Sequence, residues 1–508
     1  MIKLPFCRRT GIGVVRKKTR EPCQVNISPN ILALINSIVV LFVLLVFSEP
    51  TIENVITSVV FVGIITLLTV GYIRTITPEM YRRADMIGLA MLVCYIVLIF
   101  AELARLNDSF PMVLIPVSFG AMLVAILIGT GFGILFVVTT SLIISGIWGY
   151  NFQAFFIHLV MGLVAVYYTR KVCHRHNVMR AGLFVSVAGM LVAGMFGTFY
   201  NETVTVILEN MGIAFANGLG SAILVLGFLP YFESLFHITT DVRLLELADL
   251  NQPLLRRLML EAPGTYHHSL MVGNLAEQAA QIIDADPILA RVGGYYHDIG
   301  KIEMSEYFSE NTSEPDSKHR RLRAPLSTRI VVAHTKDGVE LARRSRLDKV
   351  IIDIIEQHHG TTLVSYFYDK AKKEEKNGAP SQEEFRYPGP KPKTLEAAII
   401  MLADACEANS HALKEISHDR IVKMVYRIIE ERLQDGQLDE CPITMKQLKQ
   451  VQDSFVQSVL TLYHKRVEYP RSDEVTSAEA AKRENRNHGY KPTEENQDTE
   501  KDSGNSGA

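Results

Sequence analysis

Between Asp108 and Arg170 the chain runs for 61 residues without an Asp, Glu, Lys or Arg. One helical crossing of a bilayer's hydrocarbon core takes about 20 apolar residues, so this stretch has room for about three spans. Turn signals at Gly129-Thr130-Gly131 and Gly149-Tyr150-Asn151 divide it into three. Further uncharged runs lie at 30–48, 55–73, 86–101, 181–200 and 211–231, and they bring the expectation to eight transmembrane helices between residues 30 and 233. A soluble all-helical protein would need several wholly apolar core helices in series, which few folds use.

Loop charges orient these spans, because Lys and Arg accumulate on the cytoplasmic side. Residues 1–29 carry Lys3, Arg8, Arg9, Arg16, Lys17, Lys18 and Arg20 ahead of the first apolar run, the mark of a basic cytoplasmic flank. With that end inside, Arg74, Arg82, Arg83, Arg170, Lys171, Arg175 and Arg180 fall in inner loops, and the outer loops are acidic or nearly neutral. Eight spans then return the chain to the cytoplasm near His237, so both termini are expected inside the cell membrane. The first run is too long for a cleaved signal peptide and further spans follow it directly. His158 is the one ionisable residue within a span, which argues against a transporter. Six cysteines, with no CxxC pair, describe neither a disulfide framework nor a zinc knuckle.

The remainder has helical periodicity throughout, so the fold class expected is all-α: a polytopic transmembrane bundle followed by an all-helical cytoplasmic domain. Residues 234–262 form an amphipathic juxtamembrane connector, broken at Pro253, that either couples the two parts or merely packs between them. Pro263-Gly264-Thr265 offers a turn and an N-cap for a helix with His268 in its first turn. Asp286-Pro287 opens a second helix that ends at His297-Asp298. A third, after Pro325, carries His334; a fourth, from Lys349, ends on His358-His359; a fifth, from Thr394, holds Asp404. Two more close the domain, the last opened by a Thr444-x-x-Gln447 capping box, so that it spans 263–466. A charged, proline-rich insertion at 369–393 reads as a solvated loop or as a lid. The polar tail at 467–508 reads as disordered.

The histidines and aspartates of 263–404 carry the chemistry. A single histidine on a helix face is usually structural, but imidazoles and carboxylates in this number are the ligand types that hold zinc, iron or manganese. Asp404 sits inside the apolar run 397–403, a costly place for a carboxylate without a cation or partner. An adjacent pair such as His297-Asp298 gives one metal an imidazole while the carboxylate bridges to a second, and a pair of ions can steady an in-line displacement at phosphorus.

The order H...HD...H...HH...D, with Tyr-His-His-Ser at 266–269, Tyr-Tyr-His-Asp-Ile-Gly-Lys at 295–301, Ala-His-Thr at 333–335, Gln-His-His-Gly-Thr-Thr at 357–362 and Leu-Ala-Asp at 402–404, resembles the HD-domain phosphohydrolases. Tyr387-Pro388-Gly389-Pro390-Lys391-Pro392 is similar to the wording of their membrane-anchored PgpH-type branch, and the resemblance covers about residues 30–465. It implies a phosphodiesterase that hydrolyses cyclic di-AMP to linear pApA with a water activated at two divalent transition-metal ions, manganese or iron. Carried over, it implies that His268, His297, Asp298 and Asp404 bind one ion, that Asp298 bridges, and that His334, His358 and His359 bind the other. Lys301 is implied as a phosphate contact or charge stabiliser, against the plainer reading of a solvated helix-end lysine. His267 is left out, and His319, His411, His418 and His464 are expected at the surface; the cluster Cys173-His174-Arg175-His176 could imitate a metal site but is read as a membrane-flanking inner loop.

The implied partners are a cyclic dinucleotide and the lipid bilayer, with no nucleic-acid polymer, and a homo-oligomer stays open. Cyclic di-AMP is preferred to cyclic di-GMP because enzymes for the latter usually carry Gly-Tyr-Pro after the His pair, whereas Gly360-Thr361-Thr362 stands here. The alternatives are hydrolysis of ppGpp, a dNTP or cyclic di-GMP, or a non-catalytic nucleotide-binding membrane receptor. Family members typically carry a large extracellular domain after the first span, where this chain has only Glu49 to Asn54, so an extracellular sensing role is not carried over.

Overall fold

The computed structural model describes residues 28–46, 51–81, 83–106, 110–170, 172, 174–312, 318–374, 380–413 and 417–463. The basic N-terminal flank, Cys173, His464 and the polar tail lie outside the described residues. The apolar part is built from α1 (Pro29–Val46), α2 (Ile52–Ile76), the short α3 (Pro78–Tyr81), α4 (Ala84–Leu106), α5 (Val117–Leu127), α6 (Thr130–Ile147), α7 (Phe152–Thr169), α8 (Arg175–Phe199) and α9 (Val204–Phe236). Among the described residues six of these, α2, α4 and α6 to α9, are long and apolar enough to cross a membrane, while α1 and the segment Met112–Leu127 are shorter apolar helices.

Local signals account for several boundaries. The Thr51 hydroxyl accepts from the Asn54 amide to start α2, and the Asn151 side chain accepts from Ala154 to start α7. The short helix α5 survives because it is wrapped by its neighbours, with ten of its eleven residues buried. Its preceding carbonyls are not left bare: Asn217 of α9 donates to Val113 O at 2.6 Å and to Ile115 O at 3.1 Å. Helices α8 and α9 meet along small residues, and a Cβ at Gly218 would come within 2.4 Å of the Ser186 amide nitrogen. At 33 residues α9 is about 50 Å long, more than a hydrocarbon core needs. It ends at His237, whose left-handed φ of 50° turns the chain into α10.

Helices α10 (Asp241–Leu247) and α11 (Pro253–Glu261) lead into α12 (Pro263–Ile282), α13 (Pro287–Tyr296), a 3₁₀ segment (Ile299–Tyr307), α14 (Ala324–Arg344), α15 (Lys349–Gln357), α16 (Ser365–Glu374), α17 (Leu395–Ser410), α18 (His418–Gln434) and α19 (Met445–Tyr463). Only an isolated bridge between Leu363 and Arg386 departs from helix and loop among the described residues. The Asp286 carboxylate accepts from the Ile288 and Leu289 amides with Pro287 at the first helical position, and Thr444 and Gln447 form a reciprocal capping box. Helix α10 touches both halves: Arg175 pairs with Glu246 at 2.7 Å, Arg243 Nε lies 3.2 Å from Asp348 Oδ2, and Tyr296 donates to Leu247 O at 3.0 Å. It therefore bears directly on the end of α13 that precedes His297, and on the start of α15, whose far end carries His358.

Two local expectations are corrected. Thr265 is not an N-cap, because Pro263 already occupies the first turn of α12; its hydroxyl instead donates to Glu310 at 3.1 Å. The insertion is not simply a solvated loop either. Residues 365–374 are helical, and Phe367, Tyr368 and Ala371 bury against Phe385 and Ala324, while Arg386 forks onto Asp435 at 2.9 and 3.0 Å. Of the lysines that make this stretch look solvated, Lys372 and Lys373 are exposed, whereas Lys370 donates to His319 O at 3.0 Å and Leu322 O at 3.3 Å.

Candidate metal centre

Five elements aim polar side chains at one point. His268 comes from the start of α12, His297 and Asp298 from the exit of α13, His334 from the middle of α14, His358 and His359 from the end of α15, and Asp404 from the middle of α17. Contact between the α13 exit and α14 is backbone to backbone: a Cβ on Gly300 would lie 1.9 Å from His334 O, so only glycine lets Asp298 come beside His334.

Asp298 is the centre. Its Oδ1 is 3.3 Å from His334 Nε2 and 3.6 Å from His358 Nε2. Its Oδ2 is 3.1 Å from His297 Nε2, 3.5 Å from His268 Nε2 and 2.7 Å from Lys301 Nζ. Asp404 also faces two ways, with Oδ1 3.1 Å from His268 Nε2 and Oδ2 3.7 Å from His359 Nδ1. Two groups of ligand atoms, each within 4.8 Å of one another, share Asp298: one with His334, His358 and His359, the other with His268 and His297.

The other ring nitrogens fix the tautomers. Nδ1 of His297, His334 and His358 lies 2.7, 2.6 and 2.8 Å from the carbonyls of Gly294, Val331 and Ile355, so each Nδ1 carries the proton and each Nε2 lone pair faces the centre. His268 Nδ1 is held by Glu407 Oε2 at 2.5 Å. Nε2 of His297 and Oδ1 of Asp298 are buried with no hydrogen-bond partner, an arrangement that costs free energy unless a cation accepts their lone pairs. His334 Nε2 and His358 Nε2 are 3.3 Å apart. Two imidazoles bound to one metal at about 2.1 Å sit at about that separation in tetrahedral or octahedral arrangements. The cluster suits metal ions.

Electrostatics agree with the donor set. Burial pushes His334 down to about 3, and burial with the neighbouring His358 also holds His359 well below the usual imidazole range, so both rings are neutral. His268 behaves differently: burial opposes its charge, but hydrogen bonds to Asp404 and Glu407 outweigh it and raise the ring to about 10. Burial would raise Asp298 and Asp404, yet the neighbouring His297 and Lys301 hold the first, and the hydrogen bond from His268 holds the second, below the ordinary carboxylate range.

Lys301 is not a solvated helix-end lysine. Its ammonium is largely buried between Asp298 Oδ2 at 2.7 Å and Glu310 Oε1 at 2.9 Å, over the Phe308 ring. His267 is exposed. His319 is buried rather than on the surface, with Nε2 2.8 Å from Tyr307 O and its ring packed on Phe367. His411 is exposed but reaches Glu407 at 2.9 Å, and His418 is exposed. His174 and His176 stack on each other and join no group of ligand atoms among the described residues. Three further residues stand beside the centre: Glu407, Glu310 and Tyr387, whose ring stacks on His359 at 4.2 Å and which opens the Tyr387-Pro388-Gly389 stretch without having been read as a site residue. Glu407 left a signal in its spacing, since it follows Asp404 by three residues and so shares its helix face.

The family model described as a 7TM receptor with intracellular HD hydrolase matches residues 52–240, and that of the HD domain matches residues 265–409. The chain is a multi-pass 7TM-type membrane protein with an intracellular HD domain. This HD protein is 38% identical over 392 residues to the cyclic-di-AMP phosphodiesterase PgpH of Bacillus subtilis (strain 168), covering 75% of this chain and 54% of that one. It is 39% identical over 362 residues to the protein of the same name from Listeria monocytogenes serotype 1/2a (strain 10403S), covering 70% and 50%. The chain thus spans about half the length of these curated relatives. Among solved structures, the HD domain of L. monocytogenes PgpH in complex with cyclic-di-AMP is 44% identical, over 43% of this chain and 100% of that one, with a TM-score of 0.41.

Proposed function

We propose that this HD protein is a metal-dependent phosphodiesterase that hydrolyses cyclic di-AMP to linear pApA. The observation that carries the reading is the sharing of Asp298 between two groups of inward-facing imidazoles, since a carboxylate with a donor set on each side suits a pair of metal ions. The names of the two curated relatives support the choice of nucleotide.

His268, His297, Asp298 and Asp404 would hold one ion, and His334, His358 and His359 the other, with Asp298 reaching both. Bound there, manganese or iron supplies Lewis acidity toward phosphoryl oxygens and lowers the pKa of a water for in-line attack. The protein's own part is orientation and charge. The Nδ1 contacts keep the imidazole lone pairs aimed inward, Lys301 holds Asp298 as a carboxylate, and the Tyr387 ring stacks on His359 and fixes the plane of that imidazole. Lys301 in this reading stabilises charge through Asp298 rather than by touching the phosphate.

The domain order follows: a basic flank at 1–29, a membrane region at 30–233, a connector at 234–262, the HD domain at 263–466 and a polar tail. Seven apolar helices, α2 and α4 to α9, lie within the matched 52–240, and α1 precedes them. With the HD domain intracellular, α2 runs inward and the N-terminus is cytoplasmic in the cell membrane. Product analysis by mass spectrometry, with the full chain in detergent, anaerobic Mn(II) and a panel of cyclic di-AMP, cyclic di-GMP, ppGpp and dATP, tests the substrate. The expected product is pApA from cyclic di-AMP, and turnover of another member alone overturns the assignment.

A further inference from the structure

Asp298 is the first of three charged side chains in a row. Its Oδ2 accepts from Lys301 Nζ at 2.7 Å, and the same ammonium donates to Glu310 Oε1 at 2.9 Å. Side-chain exposure rises along the row, from 1% at Asp298 to 13% at Lys301 and 28% at Glu310, so the glutamate closes the row on its solvent side. Two carboxylates about one ammonium leave a single net negative charge. The oxygen that Lys301 holds is the one facing His297 and His268, at 3.1 and 3.5 Å, so the row ends at the ion site of those two imidazoles.

Glu310 is itself held in place. Its Oε1 also accepts from the Thr265 hydroxyl at 3.1 Å, while the neighbouring Asn311 accepts from the Thr265 amide at 3.0 Å and donates to the Thr265 hydroxyl at 2.9 Å. Backbone packing backs these bonds, since a Cβ at Gly264 would lie 1.8 Å from Glu310 O. Thr265 precedes His268 by three residues on α12, so the segment that carries Glu310 is docked on the turn of α12 that presents His268.

An ammonium on Asp298 Oδ2 draws down the negative charge that this oxygen offers a metal, and it repels a cation bound beside it, the more so in a site largely out of water. Glu310 offsets that ammonium. We propose that Glu310 is a positioning residue of the metal centre, which acts through Lys301 and by its charge to keep the Asp298 carboxylate available to the ion at His268 and His297, an inference that rests on the two-ion reading of the centre and not on the choice of nucleotide.

Titration of metal-free full-length protein with Mn(II), with free Mn(II) read by electron paramagnetic resonance, tests it. Glu310→Gln keeps the size of the side chain and an acceptor oxygen for Lys301 and Thr265 but leaves the row without net charge, and one of the two ions is expected to bind about 10- to 100-fold more weakly. Lys301→Met/Glu310→Gln returns the row to the wild-type net charge, so both ions are expected to bind within about threefold of wild-type affinity, a rescue that a purely structural glutamate would not show. Thr265→Val removes the hydroxyl that ties Glu310 to α12 and keeps every charge of the row; its melting temperature is expected to fall while both affinities stay within about threefold. A double variant as weak as Glu310→Gln, a Glu310→Gln that binds like the wild type, or a Thr265→Val as weak as Glu310→Gln would each overturn the proposal. A wild type that binds a single ion would overturn the two-ion reading instead, and the same ordering of variants then decides whether Glu310 sets the affinity of that ion. If Glu310→Gln does not fold alone, the double variant and Thr265→Val still decide.

Discussion

Glu407 Oε2 lies 2.5 Å from His268 Nδ1, one helical turn beyond Asp404. The contact fixes which nitrogen of His268 is presented to the centre, and Glu407 is in turn tied to His411 at 2.9 Å. Glu407→Gln keeps the size of the side chain but removes its charge. Metal affinity, read by competition with a chromophoric chelator, is expected to fall about 10- to 100-fold while the helical signal persists. Unchanged affinity would reduce Glu407 to a packing residue.

His268 also ties metal binding to pH. Without an ion its ring is raised to about 10, so at neutral pH it carries both protons, and an ion at Nε2 must displace one. The sign follows: affinity rises with pH, by about tenfold per unit where this proton is the one released, and levels off as the ring loses its proton unaided. Calorimetric titration with Mn(II) in buffers of different ionisation enthalpy is expected to report proton release near pH 7. Binding heats that track no buffer enthalpy would contradict it.

Lys301 and Asp298 form a buried pair at 2.7 Å, and removing one partner of such a pair leaves the other charge uncompensated. In chelator-treated protein Lys301→Ala is expected to cost about 3–5 kcal/mol of stability, and much less once metal supplies positive charge beside Asp298. Equal losses with and without metal, in paired denaturant melts, would show that the lysine's packing matters and its charge does not.

Gly300→Ala tests the backbone contact that sets Asp298 beside His334. The added Cβ would sit 1.9 Å from His334 O, so the two elements must part, at a cost of about 2–3 kcal/mol by analogy with overpacked cores. Both the melting temperature and the metal content are expected to drop. A variant that keeps its metal would mean that the α13 exit can shift without opening the site.

The histidines and aspartates that converge on the centre were legible in the sequence because each breaks an apolar helical pattern in a place where burial of a polar group needs a reason. His297 and Asp298 end a helix, His358 and His359 end another, and Asp404 interrupts a run of alanine, isoleucine and leucine. Glu407 was not, since a glutamate near a helix end usually points to water, and only its three-residue offset from Asp404 places it inward. Tyr387 reaches His359 from an extended segment with no periodicity to read. The helix at 365–374 was masked by its lysines, although Phe367, Tyr368 and Ala371 share one face. His319 was misplaced for a similar reason: what buries it is packing by Phe367, a contact across 48 residues that local pattern does not carry.

The shared-ion reading of Asp298 is tested most directly by counting metals and turnovers together. Full-length protein loaded anaerobically with Mn(II), desalted, and assayed for bound manganese and for pApA formed from cyclic di-AMP is expected to hold two ions per chain and to turn over. Asp298→Ala is expected to fold, to retain at most one ion, and to form no pApA. Hydrolysis that persists in the variant, or a wild type that turns over with a single ion, would contradict the account.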